Sequence, residues 1–122
     1  MKTKNHIFLE EFNEAFAKND IAHILESITD DITWKMAGDI TLHGKEEVEK
    51  ALRAMENPPQ VELALDRLFI HGRDAAANGI ITMTKEDGTV KKYEFCDVYA
   101  FHQYKGGKIR KLTSYVVEAK EE

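Results

Sequence analysis

Tyr93-Glu94-Phe95-Cys96-Asp97-Val98-Tyr99-Ala100-Phe101 is the stretch on which the reading of this chain turns. Strand alternation sends Phe95, Asp97, Tyr99 and Phe101 to one face, and Cys96, Val98 and Ala100 to the other. One face therefore carries three aromatics with an acid among them. Burying an ionised carboxylate without a partner is expensive, so such an acid is paired, protonated, or set in a cavity that holds water or ligand. The third option makes Asp97 a candidate site residue. An acid bonded to a neighbouring strand or helix is the alternative.

Strand signals continue on both sides of this stretch. Val61 to His71, Ala75 to Thr84, Val90 to Tyr104 and Ile109 to Glu118 all read as strands. Turn signals separate them at Gly72-Arg73-Asp74, Glu86-Asp87-Gly88 and Lys105-Gly106-Gly107, as expected of antiparallel hairpins. The first part of the chain reads differently. Phe8, Phe12, Ala15 and Phe16 recur at helical spacing between His6 and Lys18, and Asn19-Asp20 breaks that helix and caps a second. The second carries the stripe Ile21, Ile24, Leu25 and Ile28, and Thr29-Asp30-Asp31 reads as a turn. Ile32 to Met36 then alternates as a strand with Ile32, Trp34 and Met36 inward, and Ile40 to His43 is a short continuation after Gly38-Asp39. A third helix opens after Gly44, with Val48, Leu52 and Met55 inward, and Asn57-Pro58-Pro59 stops it. Helix, helix, strand, helix and four strands describe an α+β fold with helices on one face of a sheet.

The chain has 122 residues, the size of one domain spanning 1–122, with room for a core and a small cavity. Its net charge of -5 argues against nucleic acid, because phosphate binding needs a basic face. No apolar segment approaches the length that spans a membrane. The single cysteine, Cys96, excludes an internal disulfide and fits a reducing compartment, so a cytoplasmic location is expected. Cys96 shares the face of Val98 and reads as a small hydrophobe. The five histidines show no metal-ligand spacing, and neither metal nor cofactor is expected.

The order of elements resembles the nuclear transport factor 2-like superfamily, in particular its SnoaL-like and ketosteroid-isomerase-like branch. The resemblance rests on four stretches of the chain. Phe12 to Asp20 forms the helix-break-helix opening, and Asp30-Asp31-Ile32-Thr33-Trp34 resembles the first strand. Leu42 to Val48 resembles a glycine-led third helix, and Asp97 to Phe101 with Gly107-Lys108-Ile109 a late hairpin. The resemblance implies three N-terminal helices packed in a strongly curved, mostly antiparallel sheet, a cone-shaped α+β barrel with an apolar pocket. It also implies a homodimer through the sheet's outer face. Val98 and Ala100, opposite Asp97, support that face independently, since a strand apolar on both faces is covered on both.

The family's chemistry carries over only in part. At the position of the isomerase base stands Met36, and at that of its helix tyrosine, Phe12. A thioether abstracts no proton and a phenyl ring donates none. Ketosteroid isomerases also keep a late-hairpin carboxylic acid neutral at pH 7, and that acid alone has its counterpart here, in Asp97. Epoxide hydrolases of this fold need an Arg-x-Asp pair, absent here, and an acid where this chain has Ser114. Asp97 as acid or base, with Tyr99 as a possible partner, is what is left for catalysis.

Phe12, Phe16, Trp34, Met36, Leu63, Ile81, Met83, Phe95 and Val116 are first of all core residues; an incompletely filled cone makes them a ligand-binding lining. Two functions follow. One is an isomerase-, cyclase- or hydratase-type enzyme acting on a small apolar molecule through Asp97. The other is a non-catalytic ligand-binding or dimeric association domain.

Overall fold

The computed structural model describes residues 2–55 and 58–120. Helix α1 (Lys4–Lys18) starts two residues before the expected His6 because Thr3 caps it, its hydroxyl accepting from the His6 amide at 3.2 Å. It ends at Asn19, which takes the left-handed conformation at φ 57°. Asp20 then caps α2 (Ile21–Glu26). Two expectations from the sequence fail at the end of this helix. Ile28 is not part of the helical stripe, and Thr29-Asp30-Asp31 is not a turn. Ser27 closes α2 by donating its hydroxyl to the His23 carbonyl, and strand β1 (Ile28–Met36) begins at once. Ile28 reaches the core as a strand residue paired with Ile109.

After β1 the chain turns into β2 (Thr41–His43), and Gly44, at φ 86°, leads α3 (Lys45–Arg53). The helix ends well before the prolines, and Met55 lies beyond it at 51% exposure instead of facing inward. Asn57, part of the expected stop signal, lies outside the described residues. Three long hairpin strands follow, β3 (Gln60–His71), β4 (Asp74–Thr84) and β5 (Val90–Phe101), and β6 (Ile109–Glu118) completes the sheet. Strand β5 stops before His102, whose amide turns to the Lys108 carbonyl, so Tyr104 is an exposed loop residue.

The sheet has the order β2-β1-β6-β5-β4-β3. Every neighbouring pair is antiparallel except β1 and β6, which run parallel. It is strongly curved and open, with β2 and β3 at its edges and the three helices packed against it. Curvature has a local cause at Asp66, an extra residue opposite Gly79 and Asn78, where the Arg67 amide bonds to the Asn78 side chain instead. The backbones touch there. A Cβ on Gly79 would lie 2.1 Å from the Ala64 carbonyl oxygen.

The core gathers where α1, α2 and α3 meet the concave face: Leu9, Phe12, Ile24, Ile32, Val48 and Leu112 are wholly or almost wholly buried. Each such side chain contributes roughly 1.5–3 kcal/mol relative to exposure. No helix among the described residues is long and apolar enough to cross a membrane.

Candidate active site

The concave face is filled at one end and hollow at the other. Helix α1 supplies Phe12, Asn13 and Phe16, which share one helical face and project over the sheet. Across from them, Trp34 and Met36 of β1, Leu63 of β3, Ile81 of β4, Phe95 and Asp97 of β5, and Ser114 and Val116 of β6 close a cavity of about 290 Å³. Ala37 and the exposed Asp39, in the turn after β1, complete its lining. Its walls are aromatic: Phe12 and Phe16 stand 6.1 and 6.4 Å from the Trp34 ring, centroid to centroid. About 150 Å³ is enough for a benzene ring. A two-ring molecule fits the space here.

Asp97 is the polar centre of this cavity. Burial drives its carboxyl up from an ordinary 3.8 to about 6, with the hydroxyls of Ser114 and Tyr99 pulling the other way. Ser114 is its cross-strand neighbour. Tyr99 donates its hydroxyl to Asp97 Oδ2 at 3.3 Å. Burial first, and the Asp97 carboxylate next, push ionisation of the Tyr99 phenol far upward, so it stays a neutral donor.

The proton directions in this network follow from chemistry alone. Asn13 Nδ2 lies 2.8 Å from the Leu9 carbonyl, which only accepts, and that places the amide nitrogen on this side. The same nitrogen donates to the Tyr99 oxygen at 3.0 Å. Tyr99, with its oxygen already accepting, turns its own proton to Asp97. On the other side Trp34 Nε1, a pure donor, gives its hydrogen to Ser114 Oγ at 3.2 Å. Ser114 is then left with its proton for the neighbouring Asp97 carboxyl. The Asn13–Tyr99 relay points its hydrogen at the acid, and the Ser114 hydroxyl at the end of the Trp34–Ser114 pair favours the ionised form of the same acid.

Of the residues expected from sequence, Asp97 and eight apolar ones line the cavity. Met83 does not: it faces inward but sits further along β4, opposite Val61 and Lys91, beyond the cavity's end. Tyr99 does not touch the cavity either. Its ring is buried behind Asp97, edge-on to Phe12 at 6.2 Å, so it acts on the acid from the protein side. Sequence reasoning missed Asn13, Ala37, Asp39 and the contribution of Ser114. Asn13 had a signal, since a polar residue between Leu9 and Phe16 on the apolar helix stripe is buried only with partners. Ser114 had none until the phase of β6 was known.

A model of the SnoaL-like domain matches residues 9–112. A search of curated proteins returns no match. Among solved structures, a nuclear transport factor 2-like protein of unknown function from Burkholderia pseudomallei superposes with a TM-score of 0.79 at 21% identity, covering 93% of this chain and 90% of that one. An epoxide hydrolase like limonene-epoxide hydrolase from Mycobacterium tuberculosis gives 0.76 at 17%, over 90% and 80% of the two chains. A putative SnoaL-like polyketide cyclase from Jannaschia gives 0.73 at 13%, over 88% and 81%. At such identities the likeness carries the fold and no activity. The match over residues 9–112, together with the curved sheet and its three helices, places this chain in the SnoaL-like domain family, on the nuclear transport factor 2-like fold.

Proposed function

We propose that the cavity takes up a small apolar molecule and that Asp97 transfers a proton to or from it, in a reaction of isomerase, cyclase or hydratase type. The observation behind this reading is a carboxyl group, ionising near pH 6, set into the wall of an otherwise apolar, aromatic cavity. At neutral pH it is mostly ionised and poorly hydrated, the state in which a carboxylate is a strong general base. A protonated Asp97 would present its hydrogen to the cavity, because the Tyr99 hydroxyl behind it already donates toward it.

Nitrobenzisoxazole tests this chemistry without knowledge of the substrate. It is a flat two-ring molecule that a general base opens in one step: the base takes the ring C–H proton, the C–H electrons make a nitrile, and the N–O bond breaks to a phenolate. The rate should rise through pH 6 to a plateau, and Asp97→Asn should lower it by a factor of about 100 or more. A rate equal in the wild type and the variant would remove the catalytic reading.

One observation favours the second reading, a ligand-binding domain without catalysis. Among the described residues, the Asn13 amide and the Trp34 indole on the cavity wall already donate to protein acceptors, which leaves neither to steady a developing oxyanion. Binding of the probe without turnover would support it.

The reading includes a cytoplasmic homodimer. Phe69, Val98, Tyr115 and Val117 stand 63%, 43%, 49% and 67% exposed on the convex face of neighbouring strands. A second copy laid on this face would cover them. Sedimentation should give a dimer that Tyr115→Lys with Val117→Glu converts to a monomer; a wild-type monomer at all concentrations would refute it.

A further inference from the structure

Resting on the reading of the cavity as a ligand site, we infer that its ligand is a small aromatic or alicyclic molecule carrying a protonated amine, seated with the ammonium against Asp97. The polar groups on the cavity wall point to it one by one. Both amide hydrogens of Asn13 are engaged, by the Leu9 carbonyl and the Tyr99 hydroxyl. The Trp34 indole hydrogen is held by Ser114. The Ser114 hydroxyl, across the strand pair from Asp97, favours the ionised form of that acid. What the wall offers a ligand is therefore acceptors: the remaining lone pairs of Asp97, the Asn13 Oδ1, which accepts from no group among the described residues, and the Asp39 carboxylate at the rim.

Charge sharpens the choice. Two carboxylates line the cavity, and no lysine, arginine or histidine among the described residues does. Neither Asp97 nor Asp39 has an ion-pair partner among the described residues. An anionic ligand, a carboxylate or phosphate for example, meets repulsion from both and a donor from neither. A cation meets the opposite: a poorly hydrated carboxylate lacking a counter-ion, and the faces of Phe12, Phe16, Trp34 and Phe95, which attract positive charge. A neutral hydroxyl uses the acceptors but leaves the charge of Asp97 uncompensated. The ammonium satisfies both.

Three naphthalene derivatives of nearly one size separate the possibilities: naphthylmethylamine, naphthylmethanol and naphthoate. Calorimetric titration at a pH of about 8 keeps Asp97 ionised and the amine protonated. The amine should bind about tenfold or more tighter than the alcohol, and the alcohol tighter than naphthoate, as a charge-assisted hydrogen bond requires. Asp97→Asn should bring the amine to within about threefold of the alcohol, the charge having gone and the shape having stayed. Should that variant fold poorly, the wild type supplies the same answer through pH. Asp97 and Asp39 are the titratable groups on the described wall, with neutral Tyr99 behind Asp97. The amine's advantage should shrink as the pH falls through 6, while the alcohol's affinity changes little. Equal binding of all three, or tighter binding of naphthoate, overturns the inference and leaves the cavity an apolar ligand site. Binding of none overturns both.

Discussion

Replacing Asp97 by asparagine keeps the shape of the side chain and removes its charge, so the substitution isolates what ionisation costs this fold. The carboxyl ionises at about 6 in place of an ordinary 3.8. At roughly 1.4 kcal/mol per pH unit, ionising Asp97 inside the fold is harder than in the unfolded chain by about 3 kcal/mol. The sign follows from the protons bound. Below 3.8 the group is protonated in both states and has no effect. Between 3.8 and about 6 the unfolded chain has released its proton while the fold still holds it, so stability falls as the pH rises. Above that window both states are ionised and the full loss persists. The asparagine variant has no such term. Urea unfolding of both proteins at several pH values between about 3.5 and 7.5 should therefore show the variant gaining on the wild type by up to about 3 kcal/mol across the interval. Surface carboxyls held low by their partners, such as Glu10 beside Lys2 and Glu14 beside Lys18, act the other way but equally in both proteins. They cancel in the difference. A difference that stays flat with pH would refute the burial argument, whatever its sign.

Gly79→Ala should destabilise the fold by about 3 kcal/mol, because the added methyl collides with the backbone of β3 at the bulge, where nothing flexible can move aside; thermal unfolding measures it, and a neutral effect would show that the two strands are not in contact there. Ser114→Ala removes a hydroxyl that favours the ionised acid, so the Asp97 midpoint should move above 6, as followed by the chemical shift of its labelled carboxyl carbon. A downward movement would contradict the assigned proton directions. Asn13→Ala leaves the Leu9 carbonyl and the Tyr99 oxygen without their donor and should destabilise by about 1–3 kcal/mol in urea unfolding, with no change meaning that these bonds are not formed.

The fold was legible wherever periodicity had one interpretation. The hairpins between His71 and Asp74 and between Thr84 and Val90 show in the alternation and in their glycines, and the helix of Phe8, Phe12 and Phe16 shows in its spacing. Ile28 was misread because an isoleucine four residues after Ile24 continues a helical stripe as well as it starts a strand. Tertiary pairing with Ile109 decides between the two. Asp97 stood out in sequence because an acid among aromatics needs a physical reason. Its surroundings did not stand out. Strand β6 is apolar on both sides, Leu112 and Val116 against Tyr115 and Val117, so alternation alone could not tell which way Ser114 points. Met83 shows the same limit along the strand: a residue's face is readable, while its distance from the cavity depends on where α1 crosses the sheet.

Trp34 offers the most direct test of the central claim, that a small apolar molecule enters the cavity beside Asp97. It is the single tryptophan of the chain, so its indole N–H gives one isolated nitrogen–proton signal, and that hydrogen is bonded to Ser114 on the cavity wall. Naphthylmethanol titrated into labelled protein should move this signal saturably, and in the free protein the same signal should follow pH with a midpoint near 6 as Asp97 ionises. An indole signal that ignores the probe, or shifts confined to the convex face around Phe69, Val98 and Tyr115, would contradict the account.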